Sequence, residues 1–137
     1  MLCDPSLAPL EWVGYVDEHH PSVAALDSWL ASLAPFARFH EEGEIEALLE
    51  AAAAGQLQDS GDARTPIKPI WTDPEAFELR RTVLKKRLRF YHGEPAEAPH
   101  ALVALHRHIK LEDPSQQTEI EFAANRYWAG RPTRWRS

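Results

Sequence analysis

The chain has 137 residues, 44% hydrophobic and 26% charged, which fits one globular domain with a real core and excludes a fibrous or disordered chain. A single cysteine, Cys3, excludes an internal disulfide and a cysteine metal cluster and accords with a reducing cytoplasm. The acidic first twenty residues do not read as a signal peptide, and no apolar run approaches the length of a membrane span. The net charge of −6 is unevenly spread: residues 1–63 hold twelve acids and one base, whereas residues 64–110 hold ten Lys or Arg and five acids, so the middle of an acidic chain can still attract a polyanion.

"EWVGYV" at 11–16 is aromatic and β-branched and predicts a first strand. Pro21 suits the first turn of a helix, and Val23, Leu26, Leu30 and Leu33 recur at spacings of three and four up to Pro35. A second helix is predicted from Phe36 to Ala54. It puts Ile45, Leu48, Leu49 and Ala52 inward and Glu41, Glu42, Glu44, Glu46 and Glu50 mostly outward, with Gly55 as its stop. After a polar loop at 56–66, strands are predicted at 67–71, 76–83, 86–93 and 101–110, separated by the turn chemistry of "TDP" and "GEPAEAP". "SQQTEIEFAANRYWAG" predicts a last helix with Ile120, Ala123, Ala124 and Tyr127 on one face and Gly130 as its end; residues 131–137 read as a flexible tail.

This order predicts a single α+β domain over residues 1–137. An N-terminal helical hairpin packs on one face of a small antiparallel sheet of three or four strands, a C-terminal helix follows, and the opposite sheet face is left exposed. Side chains two apart share a face of a strand. Arg87, Arg89 and Tyr91 therefore oppose Leu88 and Phe90, and His106, His108 and Lys110 oppose Val103, Leu105 and Ile109 on the core side. If the two strands are neighbours, these bases form one polar surface that Arg80 or Lys86 extends and that His92 reaches from the strand end. Any one of them alone is most simply a solvated outward residue. A face with no acid, built from Arg, His, Tyr and Lys, is harder to dismiss: like charges across strands disfavour folding unless an anion compensates.

A metal reading of His106, His108 and Glu112 as H-x-H-x-x-x-E is the competing one. Barrels that use such a string need many more strands and a later histidine, and none follows His108, so no metal is expected. Single scattered glycines exclude a phosphate loop.

"FELR" (77–80), "RLRFYHG" (87–93), "LHRHIK" (105–110) and "TEIEFAANRY" (118–127) together resemble the RelE/HigB superfamily of bacterial type II toxin–antitoxin toxins, in its HigB and phage-derived branch. The resemblance spans roughly residues 11–130. It departs from the branch at His108, where an aromatic is usual, at Leu111, where a second lysine is usual, and in its acidic first half. It implies a RelE-like fold and a metal-independent, ribosome-dependent endoribonuclease that cuts messenger RNA without a cofactor. It also implies growth inhibition and a cognate antitoxin, a small helix-turn-helix protein. On that chemistry the catalytic candidates are His92, His106, Arg89 and Tyr91, and the candidates for holding phosphate or RNA are Arg80, Lys86, Arg87, His108 and Lys110. Which of His92, His106 and Tyr91 is acid or base stays open. The alternative is a non-catalytic binding module of the same fold that grips gyrase or an antitoxin. In a further reading the acidic hairpin shields the basic face of its own chain.

Overall fold

The computed structural model describes residues 9–70, 75–111 and 115–136, the Ser115 side chain excepted; Cys3, Trp71 and Glu112 lie outside the described residues. Strand β1 (Glu11–Gly14) leads into helices α1 (Pro21–Ser32) and α2 (Pro35–Ala53). Strands β2 (Ile67–Pro69), β3 (Ala76–Val83), β4 (Lys86–Gly93) and β5 (Ala101–Lys110) follow, then helix α3 (Ser115–Gly130) and a 3₁₀ turn (Arg131–Thr133). Proline begins both hairpin helices, where its missing N–H is no loss. Gly55, at φ 70°, ends α2: its N–H bonds Ala52 O and the next N–H, of Gln56, bonds Ala51 O, which satisfies two orphan carbonyls.

The architecture is α+β, with a five-stranded sheet in the order β1-β5-β4-β3-β2. Strands β2 to β5 form the antiparallel meander that the alternation predicts. The sheet is wider than the expected three or four strands and is not wholly antiparallel: β1 pairs parallel with β5, Trp12 beside Leu102 and Val13 beside Val103. A parallel neighbour needs a long crossover, here everything from α1 to β4, and nothing local in "EWVG" specifies it.

Both faces of the sheet are covered. The α1–α2 hairpin buries Leu26 against Leu79, Leu88 and Phe90, and Trp12 Nε1 donates to Leu49 O at 2.9 Å to tie β1 to α2. Helix α3 packs on the other face, with Ala123, Ala124 and Tyr127 over Tyr91, Val103 and Leu105. The expectation of one free face is therefore corrected. So is the single core side given to Val103, Leu105 and Ile109. Tyr91 pairs with His106 and His92 with Ala104, which leaves Leu105 bulged. The extra residue shifts the alternation, so Val103 and Leu105 join the α3 core while Ile109 joins the hairpin core.

Two further expectations change. Glu41, expected among the mostly outward acids of α2, is buried and holds Arg81 of β3 in a two-bond ion pair. The tail is packed rather than loose: Trp135 is buried, stacks on Tyr127 with centroids 5.1 Å apart and donates to Tyr127 O at 2.8 Å. Gly130 makes room for it, since a Cβ there would lie 2.4 Å from the Trp135 ring.

Candidate functional site

The strand register brings most of the predicted residues together. Across β4 and β5, Arg87 lies opposite Lys110, Arg89 opposite His108, and Tyr91 opposite His106; across β3 and β4, Arg80 lies opposite Arg89. All share the α3 side of the sheet, away from the hairpin. Two do not join them. His92 points to the hairpin side, where its ring packs between Trp12 and Phe77 and its Nε2 sits 2.9 Å from Glu94. The bulge and the strand parity separate it from His106. Lys86 is exposed beside the β3–β4 turn and shares the parity of Leu88, off this surface.

The surface is not the exposed face that the residues predict, because the first turns of α3 roof part of it. Arg89, Tyr91, His106 and His108 are all at most 5% exposed. What remains open is a groove of about 450 Å³ between β2, β3, the end of β5 and the start of α3, lined by Lys68, Glu78, Arg80, Lys110, Gln116 and Ile120 among others. Glu78 was missed in the face without acids. It stands two residues before Arg80 in "FELR", so the same alternation already placed it there. Its carboxylate lies 3.2 Å from Arg80 Nε and 3.7 Å from Arg89 Nε. This relieves the repulsion of two arginines directly opposite one another.

A chain of polar contacts runs inward from the groove. Gln116 Nε2 donates to Glu78 at 3.4 Å and to the Tyr91 hydroxyl at 3.0 Å, and that hydroxyl bonds His108 Nε2 at 2.8 Å. His108 Nδ1 is 3.9 Å from Glu119 Oε1, whose other oxygen is 3.5 Å from His106 Nε2. The rings of Tyr91, His106 and His108 lie nearly parallel. Gln116 and Glu119 carry no strand signal; they reach the site only because α3 docks there.

Burial sets the protonation of this cluster. It pushes His106 down to about 3, helped by His20, Arg126 and Arg107, and His108 down to about 4 against the opposing pull of Glu119. Both rings are neutral at pH 7. Burial, followed by the Glu78 charge, raises the Tyr91 phenol, so it stays protonated. Arg89 is lowered by burial, and Lys110 by burial and then by Arg89 and Arg87. A lysine shifted down gives up a proton more readily than an isolated one.

The hairpin does not shield the groove. Its acids lie across the sheet, Glu41 on Arg81 and Asp27 on Arg107 at 3.1 Å. Among the described residues no helix is long and apolar enough to cross a membrane. Comparison with known proteins finds no matching family model, and no curated protein or solved structure is significantly similar to the chain.

Proposed function

We propose that the chain is a RelE/HigB-like toxin whose groove binds the phosphate backbone of messenger RNA and cleaves it by attack of a ribose 2′-hydroxyl. One observation carries the reading: Lys68, Arg80 and Lys110 line an open groove in which Glu78 is the one acid among the described residues, with Arg89 set behind it. The cations fit a phosphate and its developing charge. Glu78, almost fully buried at the groove wall and held by Arg80 and Gln116, is the carboxylate that would take the hydroxyl proton. Lys110, shifted down by burial and then by Arg89 and Arg87, is the group placed to protonate the leaving oxygen. Tyr91, bonded to His108, accepts from Gln116 and so fixes that side chain in the groove wall.

The burial of His106 and His108 favours a second reading, a non-catalytic module that grips an antitoxin or gyrase through the same cations. Expression in bacterial cells separates the two. The first expects growth arrest with cut messenger RNA, abolished by Glu78→Gln and Lys110→Ala. Arrest with intact messenger RNA supports the second. No arrest from well-folded wild type, together with no salt-sensitive RNA binding in vitro, removes the first.

A further inference from the structure

At the far end of the polar chain, three side chains from three elements converge: His20 at the start of α1, His106 on β5 and Glu119 on α3. One ligand-type atom from each lies within 4.8 Å of the others. The place is made by the sheet edge. Strand β1 pairs with β5 only up to Gly14 beside Ala104, so β5 beyond that point has no strand on that side, and the α1 start and α3 close over it.

We propose that His20, His106 and Glu119 form a binding site for a divalent transition-metal cation. Two imidazoles and one carboxylate are a ligand set shared by catalytic zinc and non-haem iron, three protein ligands with room for water or substrate. It differs from the string His106, His108, Glu112 that the sequence offers. His108 is engaged elsewhere, through Nε2 to the Tyr91 hydroxyl, and its Nδ1 faces Glu119 as an outer-shell partner would.

The second observation is His106 itself. Its side chain is fully buried, yet neither ring nitrogen has a hydrogen-bond partner. Buried polar atoms are rarely left so, and a cation supplies a partner for the nitrogen that faces Glu119, Nε2. The geometry needs little change. Ligands about 2.1 Å from a tetrahedral zinc lie about 3.4 Å apart; His106 and Glu119 are already at 3.5 Å, so His20 closes in. Of the nearby charges, Asp17 and Glu119 favour a cation, and Arg107 and Arg126 oppose it. Arg107 is paired with Asp27, and Arg126 is turned to the Tyr15 carbonyl and ring.

Metal binding leaves a mark on α1. His20 caps that helix, its Nδ1 accepting from the Ser22 N–H at 3.1 Å. Whichever ring nitrogen ligates, the other carries the proton, so the cap is exchanged for the metal bond and the Ser22 amide loses its partner.

Untagged, chelator-stripped protein is titrated by calorimetry with Zn²⁺ and, without oxygen, with Fe²⁺. Co²⁺ serves as the spectroscopic probe. The expected result is one site per chain, a tetrahedral or five-coordinate Co²⁺ spectrum and faster exchange of the Ser22 amide. Glu119→Gln and His20→Asn should weaken binding more than the roughly 10–100-fold that outer-shell changes cost, while His19→Ala should leave it unchanged. Asn keeps a helix cap, so His20→Asn decides the matter even if Glu119→Gln fails to fold. No binding by wild type, or binding untouched by His20→Asn, overturns the site.

Discussion

The two faces of one sheet are built to different ends. Under the hairpin the buried side chains are mainly apolar, and the ions at its margin are satisfied: Arg81 by both oxygens of Glu41, Arg107 by Asp27. Under α3, apolar packing covers only one end, and the other holds Glu78, Arg89, Tyr91, His106, His108 and Glu119 out of solvent. Among the described residues, five buried side-chain atoms lack a hydrogen-bond partner. His92 Nδ1 lies on the hairpin side, while Arg89 Nε, both nitrogens of His106 and Gln116 Oε1 lie on the α3 side. Each such atom costs on the order of 1–3 kcal/mol. One face holds the fold together. The other gives up stability, as sites that bind something do.

The largest effect that tests this contrast is on the hairpin side. Leu79 is fully buried there, and Leu79→Ala should cost about 3–4 kcal/mol in urea unfolding, with RNA binding by the folded fraction unchanged. A loss under about 1 kcal/mol would deny the hairpin core its role.

The α3 face should instead reveal itself through pH. His106 and His108 are pushed to about 3 and about 4 from an ordinary 6.5, chiefly by burial. The folded state then binds fewer protons than the unfolded chain wherever pH is below 6.5. Their contribution is thus complete above 6.5 and is lost as pH falls toward 4. For metal-free, chelator-treated protein, the pair should lose about 4 kcal/mol between pH 7 and pH 5. Replacing His106 by Leu should remove about half of that slope. A flat wild-type curve would mean that the rings are already partnered.

Glu41→Ala comes next, at about 2 kcal/mol, because it leaves Arg81 beneath α2 without its carboxylate. The value sits below the range for fully buried pairs, since Arg81 keeps 24% of its side chain exposed. Glu42→Ala, whose partner Arg38 is half in water, should change nothing measurable by the same assay.

Local pattern located the elements well. The alternation in 76–83, 86–93 and 101–110 marks β3, β4 and β5 to the residue, and Pro21, Pro35 and Gly55 mark helix ends because their backbone chemistry acts where they stand. The gathering of Arg87, Arg89, Tyr91, His106, His108 and Lys110 on one side was legible for the same reason. What was not legible depends on partners far away in sequence. The parallel pairing of β1, the bulge at Leu105, the roof of α3 over the histidines and the arrival of His20 and Glu119 beside His106 all follow from docking. An i, i+2 rule carries no information about docking. Glu78 is the exception: it stands two residues before Arg80 on β3, so the i, i+2 rule that adds Arg80 to the face adds Glu78 as well.

A gain rather than a loss is expected at the turn from β3 to β4. Val83 pairs with Lys86, so Leu84 and Lys85 alone make the loop, and both have positive φ, 50° and 66°. Two-residue loops of this hand suit Asn-Gly, whereas an L-residue with a full side chain is strained there by about 1–2 kcal/mol. Leu84 is also 65% exposed, so its side chain returns little through packing. Leu84→Asn with Lys85→Gly should therefore raise stability by about 1 kcal/mol, part of the strain relief being offset by the extra freedom of glycine in the unfolded chain. The gain should appear in urea and thermal unfolding alike and leave the groove's affinity for RNA untouched, since the turn lies beyond it. A loss of stability would mean that the Leu84 side chain contributes more through packing than its 65% exposure allows.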